Sequence, residues 1–498
     1  MHIPIKENRL PLLVATVHWC ISFFTDRLIF IDLPGKSPYE YAACKLIFLA
    51  LLFLLWRAIL KPNHNTWAIL KYAGIYLIPI TAVLIFKLPQ GFLSNDEKLI
   101  FEQATAVGNY TWFYYLTTWY YIISMMLIPS SYGPILVKVA IQLFICGYTV
   151  YRLSNYLNFK YGKFIYLAFL LPPVLAYTTS AHRIPIYFLI YLFLLFSILM
   201  DKLEKREIGS WKLFWVLLLG AFVTQWRTEG IYFAIVLPIL MLIAYPSLRE
   251  KKALIRLLIL SFFIQYIVSI PQNGILPGRM QDKAMNRMGP FYAYTITNMY
   301  RNGLDKEKNK DSLNKIGRYL NLSVLDAINR DLKDINYEDV LILYYPGYVG
   351  TIEGADDDDY RVYVEGCKEI FFNNPDIFLR TRAGAFNYAA TPYHISLDEN
   401  SLKGYALFFV SIVKTLAYNL YIPHLLLLLF LILSLFKRWW FGFFLFSGLC
   451  CHFAIVFILA PASYFKYYFP IYMISYFSLL LSAILFAWRQ KNIETAKT

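Results

Sequence analysis

The first chemistry this chain offers is a pair of adjacent carboxylates, Asp96 and Glu97, in the run Leu93-Ser94-Asn95-Asp96-Glu97-Lys98. Such a pair can act as a general base beside a second acid, or hold a divalent cation, because one group takes a proton while the other keeps its charge. The structural alternative is a helix start, with Ser94 or Asn95 capping and the two acids in the first turn. Three cationic turns follow. His182-Arg183 precede an apolar stretch, Arg227 and Glu229 lie in Gln225-Trp226-Arg227-Thr228-Glu229-Gly230, and Lys466 with Tyr467 lies in Tyr464-Phe465-Lys466-Tyr467-Tyr468-Phe469-Pro470. Charges at the edge of an apolar span are costly to desolvate, so they pair with one another or with an anion. An internal Arg227–Glu229 pair, or simple snorkelling, is the structural reading. If the cations converge on the carboxylates, they form a site for an anionic lipid headgroup.

Other polar groups carry less. Asp356–Asp359 lack the alternating oxygen ligands and central glycine of a calcium loop, and are expected to be a solvated acidic surface. His18, His424 and His452 sit inside apolar stretches without ligand spacing and are expected to be packed or hydrogen-bonded. Asn109-Tyr110-Thr111 and Asn321-Leu322-Ser323 fit the glycosylation acceptor pattern, which arises often by chance. There is no phosphate-binding glycine loop, no Cys/His metal frame and no nucleophile elbow, so nucleotide chemistry has no visible home.

The elements that must position these groups are set by composition. Hydrophobic residues make up 58% of the 498 residues, more than a water-facing surface tolerates. Apolar stretches recur at a length of roughly 16 to 20 residues, enough to cross a hydrocarbon core of about 30 Å as helices. The chain is therefore expected to be an all-α polytopic membrane protein. Its 11 Trp, 41 Tyr and 40 Phe fit interfacial belts, since Trp56, Trp67, Trp211, Trp439, Trp440 and Trp488 fall at stretch ends.

Spans are expected at about 10–25, 41–60, 68–86, 133–151, 163–178, 183–200, 212–228, 230–245, 253–271, 419–436, 440–459 and 465–487, twelve in all. Two further apolar stretches, 111–128 and 402–418, are expected to be interfacial. The net charge of +15 sits mostly in alternate short hinges, which places these hinges and both termini in the cytoplasm and argues against nucleic-acid binding. Residues 1–271 then form a nine-span membrane domain with an outer loop at 87–132. Residues 272–418 form a mainly helical extracytoplasmic insert, and 419–498 hold three C-terminal spans. The first run, Leu10–Phe24, lacks a small-residue cleavage site and is expected to stay as an uncleaved span. Five of the six cysteines lie in apolar stretches, leaving Cys367 alone in the insert.

Within the insert, Ser323 with Asp326 has capping-box character. Val340–Tyr345, ending at Pro346-Gly347, reads as a strand or buried segment. Asp356–Asp359 open a helix through Tyr360, Val364, Cys367, Ile370 and Phe371 that stops before Asn374-Pro375.

In order and placement these features resemble the membrane glycosyltransferases of the GT-C fold: an acidic pair after an early span, His182-Arg183-Ile184-Pro185, Trp226 to Gly230, and Tyr464 to Pro470. The resemblance covers most of the membrane part and little of the insert. It implies transfer of a sugar from a polyprenyl-phosphate donor to a surface glycan or glycolipid acceptor, on the extracytoplasmic face of a bacterial plasma membrane. It further implies Asp96 as base, or Glu97 in another register, and Arg227 and Lys466, assisted by Arg183 or His182, as holders of the lipid phosphate. No cofactor is assigned, and a divalent cation at the carboxylate pair stays open. The chain departs from the family by placing its largest soluble region before the last three spans.

Two other classes compete. A polysaccharide polymerase of the Wzy type would bind a lipid-linked chain through outer-loop residues such as Arg380 and Arg382. A flippase or transporter would instead favour charges at mid-membrane.

Overall fold

The computed structural model describes residues 8–30, 38–62, 64–87, 95–108, 114–158, 160–272, 289–331, 350–391, 412 and 414–497. Regular structure among them is helical, apart from one isolated antiparallel bridge between Leu320 and Thr351. The α-helices are α1 (Arg9–Ile29), α2 (Pro38–Leu60), α3 (His64–Lys87), α4 (Asn95–Thr105), α5 (Tyr115–Leu127), α6 (Gly133–Leu157), α7 (Tyr166–Phe169) and α8 (Pro172–Thr178). They continue with α9 (Ile184–Leu203), α10 (Ser210–Trp226), α11 (Phe233–Ala244), α12 (Lys251–Ile270), α13 (Gly289–Arg301), α14 (Lys310–Ile316) and α15 (Leu322–Asp331). The last are α16 (Asp357–Asn373), α17 (Pro375–Ala390), α18 (Tyr421–Phe436), α19 (Trp440–Leu459) and α20 (Phe469–Lys497).

Nine helices among the described residues are long and apolar enough to cross a membrane: α1, α2, α3, α6, α9, α12 and the last three. Their burial separates two roles. Protein buries 83% of the apolar stretch of α9 but only 17% of that of α12. The exposed face of α12 carries Ile255, Leu258, Ile259, Phe262, Phe263 and Tyr266, a row that water would not tolerate and that lipid chains cover. The chain is an all-α, multi-pass membrane protein.

Three expected spans are not among these nine. The stretch 163–178 is not one helix: a 3-10 turn (Lys160–Ile165) leads into the four-residue α7, and α8 restarts at Pro172. Pro172 and Pro173 lack N–H donors, and Leu171 turns extended before them (φ −56°, ψ 131°), so the ladder is cut there. Helix α10 has 17 residues and α11 has 12, the latter preceded by the 3-10 turn Thr228–Gly230. The stretch expected to lie in the interface, 111–128, is α5 over its described part. Nine of its thirteen residues are buried, including Thr117, Thr118 and Ser124, so it is a packed element and not a lipid-facing amphipath. Most of the other stretch expected there, 402–418, and all of Val340–Tyr345 lie outside the described residues.

The chain divides into two compact units, one comprising 1–278, 430–448 and 473–498, the other 279–429 and 449–472. In the first, α1 and α2 pack with α4 and α5 through Phe48, Leu52, Ile100, Ala104, Tyr121 and Met125. A buried ion pair that the hydropathy reading missed joins α1 to α2. Lys45 meets Asp26 and Ser22, the Tyr41 hydroxyl donates to Asp26 at 2.7 Å, and the Phe23 ring lies 4.2 Å from the ammonium. Removing one partner strands the other charge away from water. Lys45→Met is expected to destabilise the protein by about 3–5 kcal/mol, and Asp26→Leu/Lys45→Met to recover most of it, read by thermal unfolding in detergent. At the other ends of α6, α9 and α10, buried Asp201 accepts from Lys212 and Tyr245, and Arg152 pairs with Glu204 at 2.9 Å.

The second unit packs α13 to α17 around Tyr294, Ile296, Leu313, Ile316, Tyr363, Cys367 and Ile370. Helices α14 and α16 meet closely at Gly366, where a Cβ would stand 2.6 Å from the Ser312 carbonyl oxygen. The acidic run that opens α16 caps it: the Asp356 carboxylate accepts the Asp358 and Asp359 N–H groups at 2.8 and 2.9 Å, and the Asp359 carboxylate accepts the Asp356 N–H. Those amides hold the Asp356 carboxyl below the usual carboxylate range. The box expected from Ser323 and Asp326 does not form. Asn321 accepts the Ser323 N–H at 3.2 Å and its hydroxyl at 2.7 Å, because it stands directly before α15, and Asp326 pairs with Lys306 instead.

Candidate functional site

Helix α4 opens with Asn95, so Asp96 and Glu97 occupy its first turn, where unbonded N–H groups favour negative charge. The two carboxylates part there. Glu97 is 2% exposed, and its Oε1 lies 2.9 Å from His182 Nδ1; Asp96 is only half-buried. The contact joins residues 85 positions apart in sequence.

His182 and Arg183 belong to the turn between α8 and α9, and four successive carbonyls of that turn take side-chain donors. Lys138 Nζ on α6 reaches Ser180 O, and His182 O at 2.6 Å. The Tyr121 hydroxyl on α5 donates to Ala181 O, and Trp226 Nε1 at the end of α10 donates to Arg183 O at 3.1 Å. Helices from three directions therefore fix this turn. The Tyr177 ring packs on the His182 ring at a centroid distance of 5.1 Å. Pro185 in the first turn of α9 has no N–H to leave unsatisfied, which suits an abrupt helix start.

Arg227 leaves α10 in extended conformation (φ −151°, ψ 149°) and begins the turn Thr228–Gly230. Its Nε forms an ion pair with Glu229 Oε1, and Arg227 is only 8% exposed. Gly230 lets the turn fold back on α10, since a Cβ there would stand 2.5 Å from the Val223 carbonyl oxygen and 3.1 Å from the Tyr187 ring. Arg183 lies within the field of both turns. Burial, then Arg227, push its guanidinium down from the usual arginine range, against the opposing pull of Asp96, Glu97 and Glu229.

Asp96, Glu97, His182, Arg183, Arg227 and Glu229 thus come together in the first unit, two carboxylates and two guanidinium groups beside an imidazole in contact with Glu97 and a third acid. The Arg227–Glu229 pair expected as the structural reading exists. Lys466 and Tyr467 belong to the second unit. There Lys466 Nζ lies 4.6 Å from the centre of the Tyr464 ring, and the Tyr467 carbonyl oxygen contacts His452 Nε2 at 2.9 Å. His424 Nδ1 meets Leu420 O at 2.6 Å, and Trp56 Nε1 donates to His18 Nδ1 at 3.3 Å, so the three histidines in spans are hydrogen-bonded as expected.

Arg382, a candidate glycan ligand in the competing polymerase reading, is 1% exposed and spends its guanidinium on Phe457 O at 2.6 Å and Ala460 O at 2.9 Å. It holds the carbonyl end of α19 and is closed to a glycan. Lys138 and Tyr121 were missed. The signal for Lys138 was present: a lysine inside the apolar stretch 133–151 is costly unless it has oxygen partners. Among the described residues no three His, Cys, Asp or Glu side chains are grouped to hold a metal ion. Comparison with family models, with curated proteins and with solved structures finds no match for this chain.

Proposed function

We propose that the chain is a membrane glycosyltransferase that moves a sugar from a polyprenyl-phosphate donor to a glycan or glycolipid acceptor, with a GT-C-like membrane domain. The observation that carries this reading is the meeting of carboxylates and guanidinium groups from three separate turns at a membrane-protein site. Glycosyl transfer asks for both. A carboxylate takes the proton of the attacking hydroxyl as its oxygen bonds to the anomeric carbon, and cations hold the charge on the departing phosphate in a low-dielectric setting. Asp96, the less enclosed acid, is the base. Glu97 keeps His182 in place, and Arg183 and Arg227 face the phosphate. Twelve spans with cytoplasmic termini and an extracytoplasmic active face belong to the same proposal.

Arg382, one example of an outer-loop ligand in the polymerase alternative, is engaged by backbone carbonyls and does not serve that role. A donor screen separates the classes. Purified protein should consume a polyprenyl monophosphate sugar and release polyprenyl phosphate without a nucleotide sugar, followed by mass spectrometry. Products formed only from diphosphate-linked repeat units would establish a polymerase, and lipid movement without cleavage a flippase.

A further inference from the structure

In the second unit, α17 runs across the ends of two membrane-crossing helices. Near its middle, Arg382 bonds to Phe457 O and Ala460 O at the C-terminal end of α19. One turn on, the Phe386 ring packs on His424 at 5.1 Å and on Phe453 at 5.5 Å, and Ala390 O accepts Leu420 N–H at 3.2 Å beside the start of α18. A helix that touches the ends of two neighbouring spans at successive turns lies at the membrane boundary. Its opposite side packs into the soluble core, where Thr381 accepts from Asn302 at 2.9 Å and Ala385 is buried.

Helical spacing aims the N-terminal half of α17 at the same boundary. Leu379 precedes Arg382 by three residues and Phe386 by seven, so it shares their face. Yet Leu379 is 54% exposed, and Pro375 and Ala383, on the adjoining stripe, are also exposed. This apolar edge lies on or beside the helix face that meets the span ends through Arg382 and Phe386. Arg380, exposed next to Leu379, is placed to reach phosphate headgroups while the leucine sits lower.

We propose that α17 is an interfacial helix whose N-terminal half rests on lipid, with Leu379 among the headgroup and upper acyl region and Arg380 at the phosphates. The occupant is the bilayer surface, since the edge lies on or beside the face that meets helices that already cross it. The proposal is independent of any catalytic activity.

The test uses the full chain in lipid nanodiscs. Because the described cysteines are free thiols, the spin label is attached through a keto amino acid introduced at position 379, with the same label at Arg361 as a water reference and at Leu429 as a lipid reference. Collision rates with oxygen and with a neutral nickel complex are then compared. Position 379 is expected to behave like Leu429, accessible to oxygen and shielded from nickel. Nickel access like that at Arg361 would overturn the proposal, and so would exclusion of both reagents, which would mean that protein covers this edge.

Discussion

Asp96→Asn is expected to lower sugar transfer by about 10²–10⁴-fold while leaving expression and membrane insertion unchanged, the range lost when a positioned general base is removed. The substitution keeps the side-chain shape and the helix start, so stability is not the cause of the loss. Asp96 is half-buried, whereas Glu97 is enclosed and spends Oε1 on His182. Glu97→Gln should therefore cost less turnover than Asp96→Asn and should mainly raise the donor KM, because the imidazole loses its charged partner. Steady-state kinetics with donor and acceptor varied separately distinguish the two. Full activity in Asp96→Asn removes this residue from catalysis, and a reversed ranking moves the base to Glu97.

The second large effect is expected at Arg227. Arg227→Ala should weaken donor use by roughly 10- to 150-fold, the equivalent of about 1.5–3 kcal/mol for a charge-assisted contact to phosphate away from bulk water. The same change leaves Glu229 without its ion-pair partner, so a stability loss is expected as well. Arg227→Ala/Glu229→Gln separates the two roles. If Arg227 serves the phosphate, the double variant regains thermal stability but not donor use. If the pair is only structural, both return together. Arg227→Lys should recover part of the donor affinity, since an ammonium keeps the charge but not the fork of the guanidinium.

Hydropathy made the membrane character and most of the long helices legible, because an apolar run long enough to span has few other solutions. In 163–178 apolar composition hid the break that Pro172 and Pro173 impose on the helix. The Thr, Tyr and Trp content of α5 looked interfacial and gave no sign that its threonines are enclosed by neighbouring helices. The members of the candidate site were legible as unusual charges at span ends. Their partners were not. That Glu97 meets His182, or that Lys138 grips the carbonyls of the 180–182 turn, depends on how α4, α5, α6 and α9 pack, and no local pattern encodes it. The same holds for Arg382, which reads as an exposed loop cation in sequence and closes a helix end in the fold.

The most direct measurement is the position of a bound lipid phosphate in an electron cryo-microscopy map of the protein in nanodiscs supplied with polyprenyl phosphate. The expected density places the phosphate within hydrogen-bonding reach of Arg183 and Arg227 and on the side open to Asp96. A phosphate bound elsewhere, with the Arg227–Glu229 pair intact and Asp96 facing only solvent, would contradict the assignment of this cluster as the transferase site.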